Sequence, residues 1–221
     1  MSALFQNRRQ AGQLLATRLQ EFANRSDVLV LALPRGGVPV GFELARALRA
    51  PLDVFVVRKL GVPGQEELAM GAIAGGGIRV LNAEVVRHLG IPERVIAAVA
   101  AAEQKELERR EQMYRDARPG PVIQGRTVNL VDDGLATGST MRAAVAALRQ
   151  QRPAKIVVGV PVGAASTCEE FKLEVDRIVC GLTPDPFHGV GEWYEDFSQT
   201  TDEEVRDLLD LASKSQSDPS Q

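Results

Sequence analysis

The chain has 221 residues and a formal net charge of −3, so its size suits one α/β domain with additions, and no overall basic field attracts nucleic acid. Apolar residues make up 44% of the sequence, which is enough for a substantial core. The N-terminus shows no apolar segment of signal-peptide length, and no apolar run approaches the length of a membrane span. We therefore expect neither nucleic-acid nor membrane partners.

The first third of the chain predicts two strands and the helices around them. Residues 5–24 place apolar side chains at helical spacing, and the continuous apolar run over 27–33 is typical of a buried parallel strand. A helix over 38–49 follows, and then a second strand over 52–59. Glycine and proline predict a loop over 60–67.

The middle of the chain continues with two strand-like pieces over 68–74 and 77–82, and the glycines at 75–77 read as a hairpin turn between them. The periodicity then predicts further elements in chain order: helices over 83–89 and 92–117, a strand over 125–131, a helix over 139–151, a strand over 154–162, a helix over 164–173, a strand over 175–182 and a final helix over 202–213. Such alternation predicts a parallel sheet with helices on both faces, which binds ligands beyond the carboxyl ends of its strands.

The two cysteines, Cys168 and Cys180, lack CxxC spacing and an accompanying histidine cluster. We expect reduced, partly buried thiols rather than a disulfide, and a cytoplasmic location follows from that expectation.

The stretch DDGLATGST begins with two adjacent carboxylates, Asp132 and Asp133, just past an apolar strand. The small residues that follow can turn several backbone N–H groups inward at the start of a helix, where an anion is favoured. Hydroxyls at Thr137, Ser139 and Thr140 add donors. The turn suits a phosphate monoester and the carboxylates suit vicinal hydroxyls, which together describe a ribose 5-phosphate. A Walker loop is excluded, because no lysine follows the second glycine.

This stretch resembles the phosphoribosyl-diphosphate (PRPP) motif of type I phosphoribosyltransferases, in which two acids and a small-residue turn follow an apolar strand. The resemblance extends over residues 5–213. It implies that the two acids hold the ribose hydroxyls and that residues 136–140 hold the 5-phosphate. The PRPP-binding residues it implies are Asp132, Asp133, Gly134, Ala136, Thr137, Gly138, Ser139 and Thr140.

The same resemblance implies a type I phosphoribosyltransferase fold with a flexible-loop hairpin and a small C-terminal hood. We expect one domain over 1–213, with its core over about 26–182, the hood over about 183–200 and a disordered tail over 214–221. The segments ALPRGG, VRKLG, LVDDGLATG and GEWYEDFSQT resemble in particular a bacterial phosphoribosyltransferase-like subgroup of unsettled substrate, which is sometimes fused to hydrolase domains.

A second motif, LPRGGVPVG, places Arg35, Gly36 and Gly37 between a strand and a helix. Arginine can meet an anion, and the glycines allow either close backbone approach or positive φ. A Rossmann fingerprint is the rival interpretation, but the glycine spacing is not G-x-G-x-x-G and no acid ends the second strand. By resemblance, these three residues form the pyrophosphate loop.

A third motif, VRKLGVPGQEE, ends the predicted second strand with Arg58 and Lys59, which should point to opposite faces of the sheet. Ordinary solvation of a strand end is the simpler alternative. By resemblance to adenine phosphoribosyltransferases, both cations hold the diphosphate, and a flexible loop follows. Glu66 in that loop is the candidate proton donor to the base, against the alternative of a solvated acid.

The aromatic stretch over 184–197 could simply close a core edge. The resemblance instead implies a hood that stacks on a nucleobase, with Val162, Phe187 and Trp193 as base-binding candidates. In 6-oxopurine members an aspartate base stands where this chain has Ala136, and a lysine follows the next strand, which here ends at Val162. A hypoxanthine or guanine substrate is therefore disfavoured, and the base stays open.

The function that these motifs imply is phosphoribosyl transfer from Mg²⁺–PRPP to a nitrogenous base. Arg58, Lys59, Glu66 and Asp133 are the catalytic candidates. Mg²⁺ would be held mostly by substrate and water, without a dedicated protein site. Two alternatives stay open: a PRPP-binding regulator without turnover, with helix 92–117 as its partner surface, and a nucleotide phosphatase or phosphorylase. Family members commonly form homodimers.

Overall fold

The computed structural model describes residues 5–116 and 118–217. The helices are α1 (Arg8–Thr17), α2 (Gly37–Leu48), α3 (Ala83–His88), α4 (Glu93–Arg115), α5 (Ser139–Gln150), α6 (Ala165–Phe171) and α7 (Asp202–Ser217). The strands are β1 (Val28–Ala32), β2 (Leu52–Val54), β3 (Val57–Val62), β4 (Gln65–Ala74), β5 (Ile78–Leu81), β6 (Thr127–Val131), β7 (Lys155–Val162) and β8 (Arg177–Leu182). Short 3-10 helices lie at Gln20–Phe22 and Val190–Trp193.

Five strands form a parallel sheet in the order β2-β1-β6-β7-β8. In β1 every residue is buried, and successive side chains belong to different cores. Val28 and Val30 pack with α1, α2 and α7, whereas Leu29 and Leu31 pack with α5 and α6. Burial on both faces explains why the strand is apolar throughout. The predicted α/β fold with helices on both faces is confirmed.

The predicted single strand over 52–59 is wrong. The chain leaves the parallel sheet after β2, and the backbone N–H of Phe55 makes the last contact, with the carbonyl of Ala32 at 2.9 Å. It then enters a second, antiparallel sheet as β3, in the order β3-β4-β5. The apolar run over 54–56 is buried throughout, so its composition gives no sign of the point where the strand changes partners.

The predicted loop over 60–67 is also wrong, because β3 and β4 form a hairpin across a tight turn. Gly64 has φ +82° in that turn, and the register shifts at Gly61 as in a β-bulge. A Cβ on Gly61 would lie 2.8 Å from the carbonyl oxygen of Glu66, so the glycine permits this close pairing. The second predicted hairpin, with Gly75–Gly77 as its turn, is confirmed.

The chain ends differ from prediction in two respects. The helix predicted over 5–24 begins at Arg8, and Phe5 forms a parallel β-bridge with Tyr194 of the hood. Helix α7 continues to Ser217, so part of the tail predicted as disordered is helical. Residues 218–221 of that tail lie outside the described residues. Over the described ranges 5–116 and 118–217, no helix is long and apolar enough to cross a membrane.

The expectation of reduced thiols is corrected, because Cys168 and Cys180 form a disulfide. Helix α6 packs on β8 and holds the two Cα atoms 6.6 Å apart, within the range that a disulfide spans. The pairing arises from the tertiary packing of a helix on a strand, which Cys spacing does not reveal. The cytoplasmic location was inferred from reduced thiols and loses that support.

The reduced protein is expected to be less stable than the disulfide-bonded protein. The bond closes a loop with a sequence separation of 12 residues, for which the loss of unfolded-state entropy gives about 2–4 kcal/mol. Thermal unfolding with and without reductant measures the difference, and the double variant Cys168→Ser with Cys180→Ser should not respond to reductant. Two titratable thiols in the untreated protein, with no effect of reductant, would contradict the pairing.

Candidate functional site

Asp132 and Asp133 follow β6 at the carboxyl edge of the parallel sheet, the edge at which such sheets bind ligands. The backbone N–H of Asp133 donates to Asp132 Oδ1 at 2.9 Å. Burial raises the pKa of Asp132 well above its usual value, and the negative charge of Asp133 raises it further. Burial also raises the pKa of Asp133, while a hydrogen bond from Arg8 opposes that rise. Hydrogen-bond donors or cations beside either carboxylate would therefore stabilise its ionised form and lower its pKa.

The loop before α2 lies directly on this carboxylate pair. A Cβ on Gly36 would lie 2.1 Å from Asp133 Oδ2, and one on Gly37 would lie 2.8 Å from the carbonyl oxygen of Val131. Gly36 has φ −59°, so close approach and not positive φ is what requires glycine here. The peptide bond between Pro34 and Arg35 is cis. The two glycine-containing motifs of the sequence thus meet at one edge of the sheet.

The turn after the carboxylates is fixed through its backbone. The N–H of Leu135 donates to the carbonyl of Val162 at 2.9 Å, and the hydroxyl of Thr167 donates to the carbonyl of Ala136 at 2.7 Å. Gly138 caps α5 with φ +74°. Thr137, Ser139 and Thr140 lie beside the helix N-terminus, and all three are exposed. The turn therefore presents hydroxyls and helix dipole to solvent, as an anion site does.

Gly134 completes the contact between this turn and the hood. A Cβ there would lie 2.4 Å from a side-chain carbon of Val190. The residue therefore has to be small for the hood to pack beside the carboxylates.

The three predicted diphosphate cations have different partners. Lys59 Nζ lies 3.4 Å from Ser139 Oγ, so β3 brings it to the turn. Arg58 points the other way and pairs with Glu103 of α4 at 2.6 Å. Arg35 lies 3.9 Å from Asp202 at the start of α7, and both side chains are about one-third exposed. The prediction that neighbouring residues 58 and 59 face opposite sides is confirmed. They lie in β3 of the antiparallel sheet, however, and not at the end of a strand of the parallel sheet.

Glu66 lies at the tip of the β3–β4 hairpin. Its carboxylate accepts a hydrogen bond from the backbone N–H of Gly64 at 3.2 Å, and the side chain is exposed. The contact stabilises the turn. The role of Glu66 as a proton donor stays a prediction.

Two of the three predicted base-binding residues are buried in an apolar cluster. Trp193 is 6% exposed and Val162 is fully buried, and both belong to a cluster with Phe5 and Tyr194. Phe187 packs against that cluster and is partly exposed. The aromatic stretch thus closes a core edge, which disfavours Trp193 and Val162 as base contacts and leaves Phe187 as the candidate.

Sequence reasoning missed two residues that contact the carboxylate pair. Arg8 Nε donates to Asp133 Oδ2 at 2.8 Å, and the hydroxyl of Tyr194 donates to the carbonyl of Asp133 at 2.6 Å. Arg8 is a basic residue near the start of a helix, and nothing in its local sequence pattern indicates a contact 125 positions away. The segment GEWYEDFSQT carries part of the resemblance, but its residue types give no sign that Tyr194 contacts Asp133.

A phosphoribosyl transferase domain model matches residues 63–191, which is more than half of the chain. The chain belongs to this family. TT1426 from Thermus thermophilus, a solved structure, is 41% identical, with 93% of this chain and 97% of that chain covered and a TM-score of 0.85. The resemblance to phosphoribosyltransferases is therefore confirmed.

Two curated relatives, from two strains of Mycobacterium tuberculosis, carry the provisional name of phosphoribosyl transferase. Each is 46% identical over 209 residues, which is 95% of this chain and 47% of the relative. The chain thus spans about half the length of these phosphoribosyl transferase relatives.

Proposed function

We propose that the protein transfers the 5-phosphoribosyl group from PRPP to a nitrogen atom of a base and releases pyrophosphate. The bond between carbon 1 of the ribose and the diphosphate oxygen would break with the electron pair leaving on oxygen, and a carbon–nitrogen bond would form as the base loses a proton. One observation carries the proposal: the carboxylate pair, the hydroxyl-lined turn and the Gly36–Gly37 loop lie together at the carboxyl edge of the sheet.

The ribose 5-phosphate half of PRPP would occupy the turn and the carboxylates. Exposed hydroxyls of Thr137, Ser139 and Thr140 and the N-terminus of α5 suit the 5-phosphate. Asp132 and Asp133 would accept hydrogen bonds from the vicinal hydroxyls. The small residues of the same turn would contribute backbone N–H groups, which their side chains leave accessible.

The diphosphate half would lie beside the Gly36–Gly37 loop. Lys59 lies next to the turn, where its ammonium can contact the diphosphate as negative charge develops on it. This makes Lys59 the leading candidate for stabilising the departing group. Arg35 is exposed enough to turn from Asp202 toward an anion. Arg58 would first have to break its ion pair with Glu103, so a contact of Arg58 with the diphosphate costs more free energy than one of Lys59.

Mg²⁺ would enter with PRPP as part of the substrate. Over residues 5–116 and 118–217 no group of three or more ligating side chains forms a metal cluster. The ion would be held mostly by phosphate oxygens and water, as Mg²⁺ usually is. When bound, the ion would neutralise diphosphate charge.

The base would bind on the hood side, where Phe187 offers a partly exposed ring. Ala136 at the position of the aspartate base of 6-oxopurine members supports an acceptor other than hypoxanthine or guanine. Homodimerisation and a cytoplasmic location stay predictions.

A second candidate function is PRPP binding without turnover. It is favoured by the ion pair that holds Arg58 on α4 and by the burial of Trp193, since both withhold groups that the transferase hypothesis places at the substrate. Pyrophosphate release from Mg²⁺–PRPP across a panel of purine, pyrimidine and related bases separates the two functions. Release that depends on one base supports a transferase, whereas PRPP binding with no release for any base supports a regulator.

Lys59→Ala is expected to lower turnover more than Arg58→Ala. The Lys59 ammonium lies beside Ser139, whereas Arg58 is held by Glu103. A cation that acts mainly as charge develops should affect the maximal rate more than PRPP affinity, by about 10-fold or more for one charge-assisted contact. Steady-state rates for both variants, together with calorimetric PRPP affinities, measure this. Equal rate losses in the two variants would contradict the assignment.

A further inference from the structure

The Arg8 side chain is the least expected contact of the carboxylate pair. Its guanidinium lies 2.8 Å from Asp133 Oδ2, and the two side chains are 11% and 16% exposed. A Cβ on Gly36 would lie 3.3 Å from Arg8 Nε, so the Gly36 backbone covers this ion pair. Asp133 is therefore enclosed between a cation from α1 and the loop before α2.

Arg8 is held in this position by the hood. Its Nη1 donates to the carbonyl oxygen of Ser198 at 2.7 Å, and its guanidinium lies 4.0 Å from the ring centroid of Phe197. Backbone hydrogen bonds join residues 5 and 6 to residues 193–196, so the start of α1 and the hood form one unit. An arginine fixed by a carbonyl and a ring cannot move without changing the hood.

Helix α1 itself is fixed against α2. A Cβ on Gly12 would lie 2.7 Å from the carbonyl oxygen of Val40, which shows how closely the two helices approach. Helix α2 begins at Gly37, directly after the loop that covers Asp133. The position of Arg8 and the position of this loop are therefore coupled through the α1–α2 contact.

We propose that Arg8 is a positioning residue that keeps Asp133 ionised and oriented as a hydrogen-bond acceptor for a ribose hydroxyl, with the hood as its anchor. The proposal rests on the proposed function, because it assigns Asp133 to the ribose. Three charged or titratable groups face Asp133: Asp132 beside it, Arg8 from α1 and Tyr194 from the hood. Burial and the charge of Asp133 raise the pKa of both Asp132 and Tyr194 and so disfavour a second negative charge at either, which leaves Arg8 as the group that offsets the charge of Asp133.

Two measurements on the full chain test this role. Calorimetric titration with Mg²⁺–PRPP should show that Arg8→Met weakens binding by about 10-fold near pH 6 and by a smaller factor near pH 8, since an unpaired Asp133 is protonated more readily at low pH. At each pH the protonation of PRPP itself is the same for the variant and the unaltered chain, so it does not affect the ratio of their affinities. Arg8→Lys should recover most of the loss near pH 6, and the exposed Arg9→Met should bind as the unaltered chain does.

A double-mutant cycle shows whether Arg8 acts through Asp133. In an Asp133→Asn background, Arg8→Met should change PRPP affinity by less than about 2-fold. A full additional loss, an equal loss at both pH values or tighter binding by Arg8→Met would overturn the proposal.

Carboxyl NMR titration of Asp133 provides a readout independent of PRPP. Arg8→Met should raise the pKa of Asp133, because the hydrogen bond and charge of Arg8 lower it, and Arg8→Lys should raise it less. An unchanged pKa in Arg8→Met would overturn the positioning role whatever the ligand. If the unaltered chain does not bind PRPP while this pKa does rise, the proposed function fails and the contact of Arg8 with Asp133 stands.

Discussion

Asp132→Asn is expected to weaken PRPP binding by about 10-fold or more, because the amide replaces a carboxylate that accepts hydrogen bonds from ribose hydroxyls, at about 1.5–3 kcal/mol for bonds to a charged group. Asp132 is the sharper choice of the two acids. Asp133 holds Arg8, so its replacement also leaves a cation without its partner. Adding Asp133→Asn to Asp132→Asn should lower the affinity further.

A matched control for the Asp132 variant is Asp176→Asn, since Asp176 accepts from the backbone N–H of Ile156 near the amino end of β7, at the opposite edge of the sheet. It should leave PRPP affinity unchanged. Calorimetry measures affinity, and circular dichroism shows whether each variant is folded. Unchanged affinity in a folded Asp132→Asn protein would remove the ribose assignment.

Gly36→Ala is expected to have the second large effect. The added methyl would lie 2.1 Å from Asp133 Oδ2 and 2.8 Å from its Cγ, a distance that no relaxation of the carboxylate alone relieves while Arg8 holds it. Overpacking of this kind costs about 1–3 kcal/mol. The displaced loop and carboxylate should also weaken PRPP binding by about 10-fold or more. Denaturant unfolding and calorimetry measure the two effects.

Gly189→Ala is the matched control for Gly36→Ala. No atom lies within 4 Å of a Cβ at Gly189, and its φ of −179° is extended backbone that any residue adopts. Its stability and PRPP affinity should therefore match those of the unaltered chain. A Gly36→Ala protein with unaltered stability and affinity would show that the Gly36 loop is not packed on Asp133 in solution.

The sheet and the site at its carboxyl edge could be predicted because their signals are local. A buried parallel strand is apolar throughout, and the acids and small residues that follow β6 are contiguous in sequence. The Gly36–Gly37 motif likewise follows β1 closely. The carboxyl ends of parallel strands lie at the same edge of the sheet, so two motifs that each follow such a strand are expected to lie together there.

The contacts that could not be predicted join distant parts of the chain. The partner of Arg8 lies 125 positions away, and that of Arg58 lies 45 positions away on another helix. The same limit applies to the Cys168–Cys180 pair, which depends on where α6 lies against β8. Trp193 was a plausible stacking residue by type alone, and its burial depends on Phe5 at the other end of the chain. Residue type and spacing do not encode such partners.

Whether the chain binds PRPP at this edge of the sheet is decided by a calorimetric titration of the unaltered chain with PRPP in the presence of Mg²⁺, with ribose 5-phosphate and pyrophosphate titrated separately. PRPP should bind more tightly than either half, because the turn with its carboxylates and the Gly36–Gly37 loop with Lys59 would each hold one part of the same molecule. Absence of PRPP binding by folded protein would contradict this expectation.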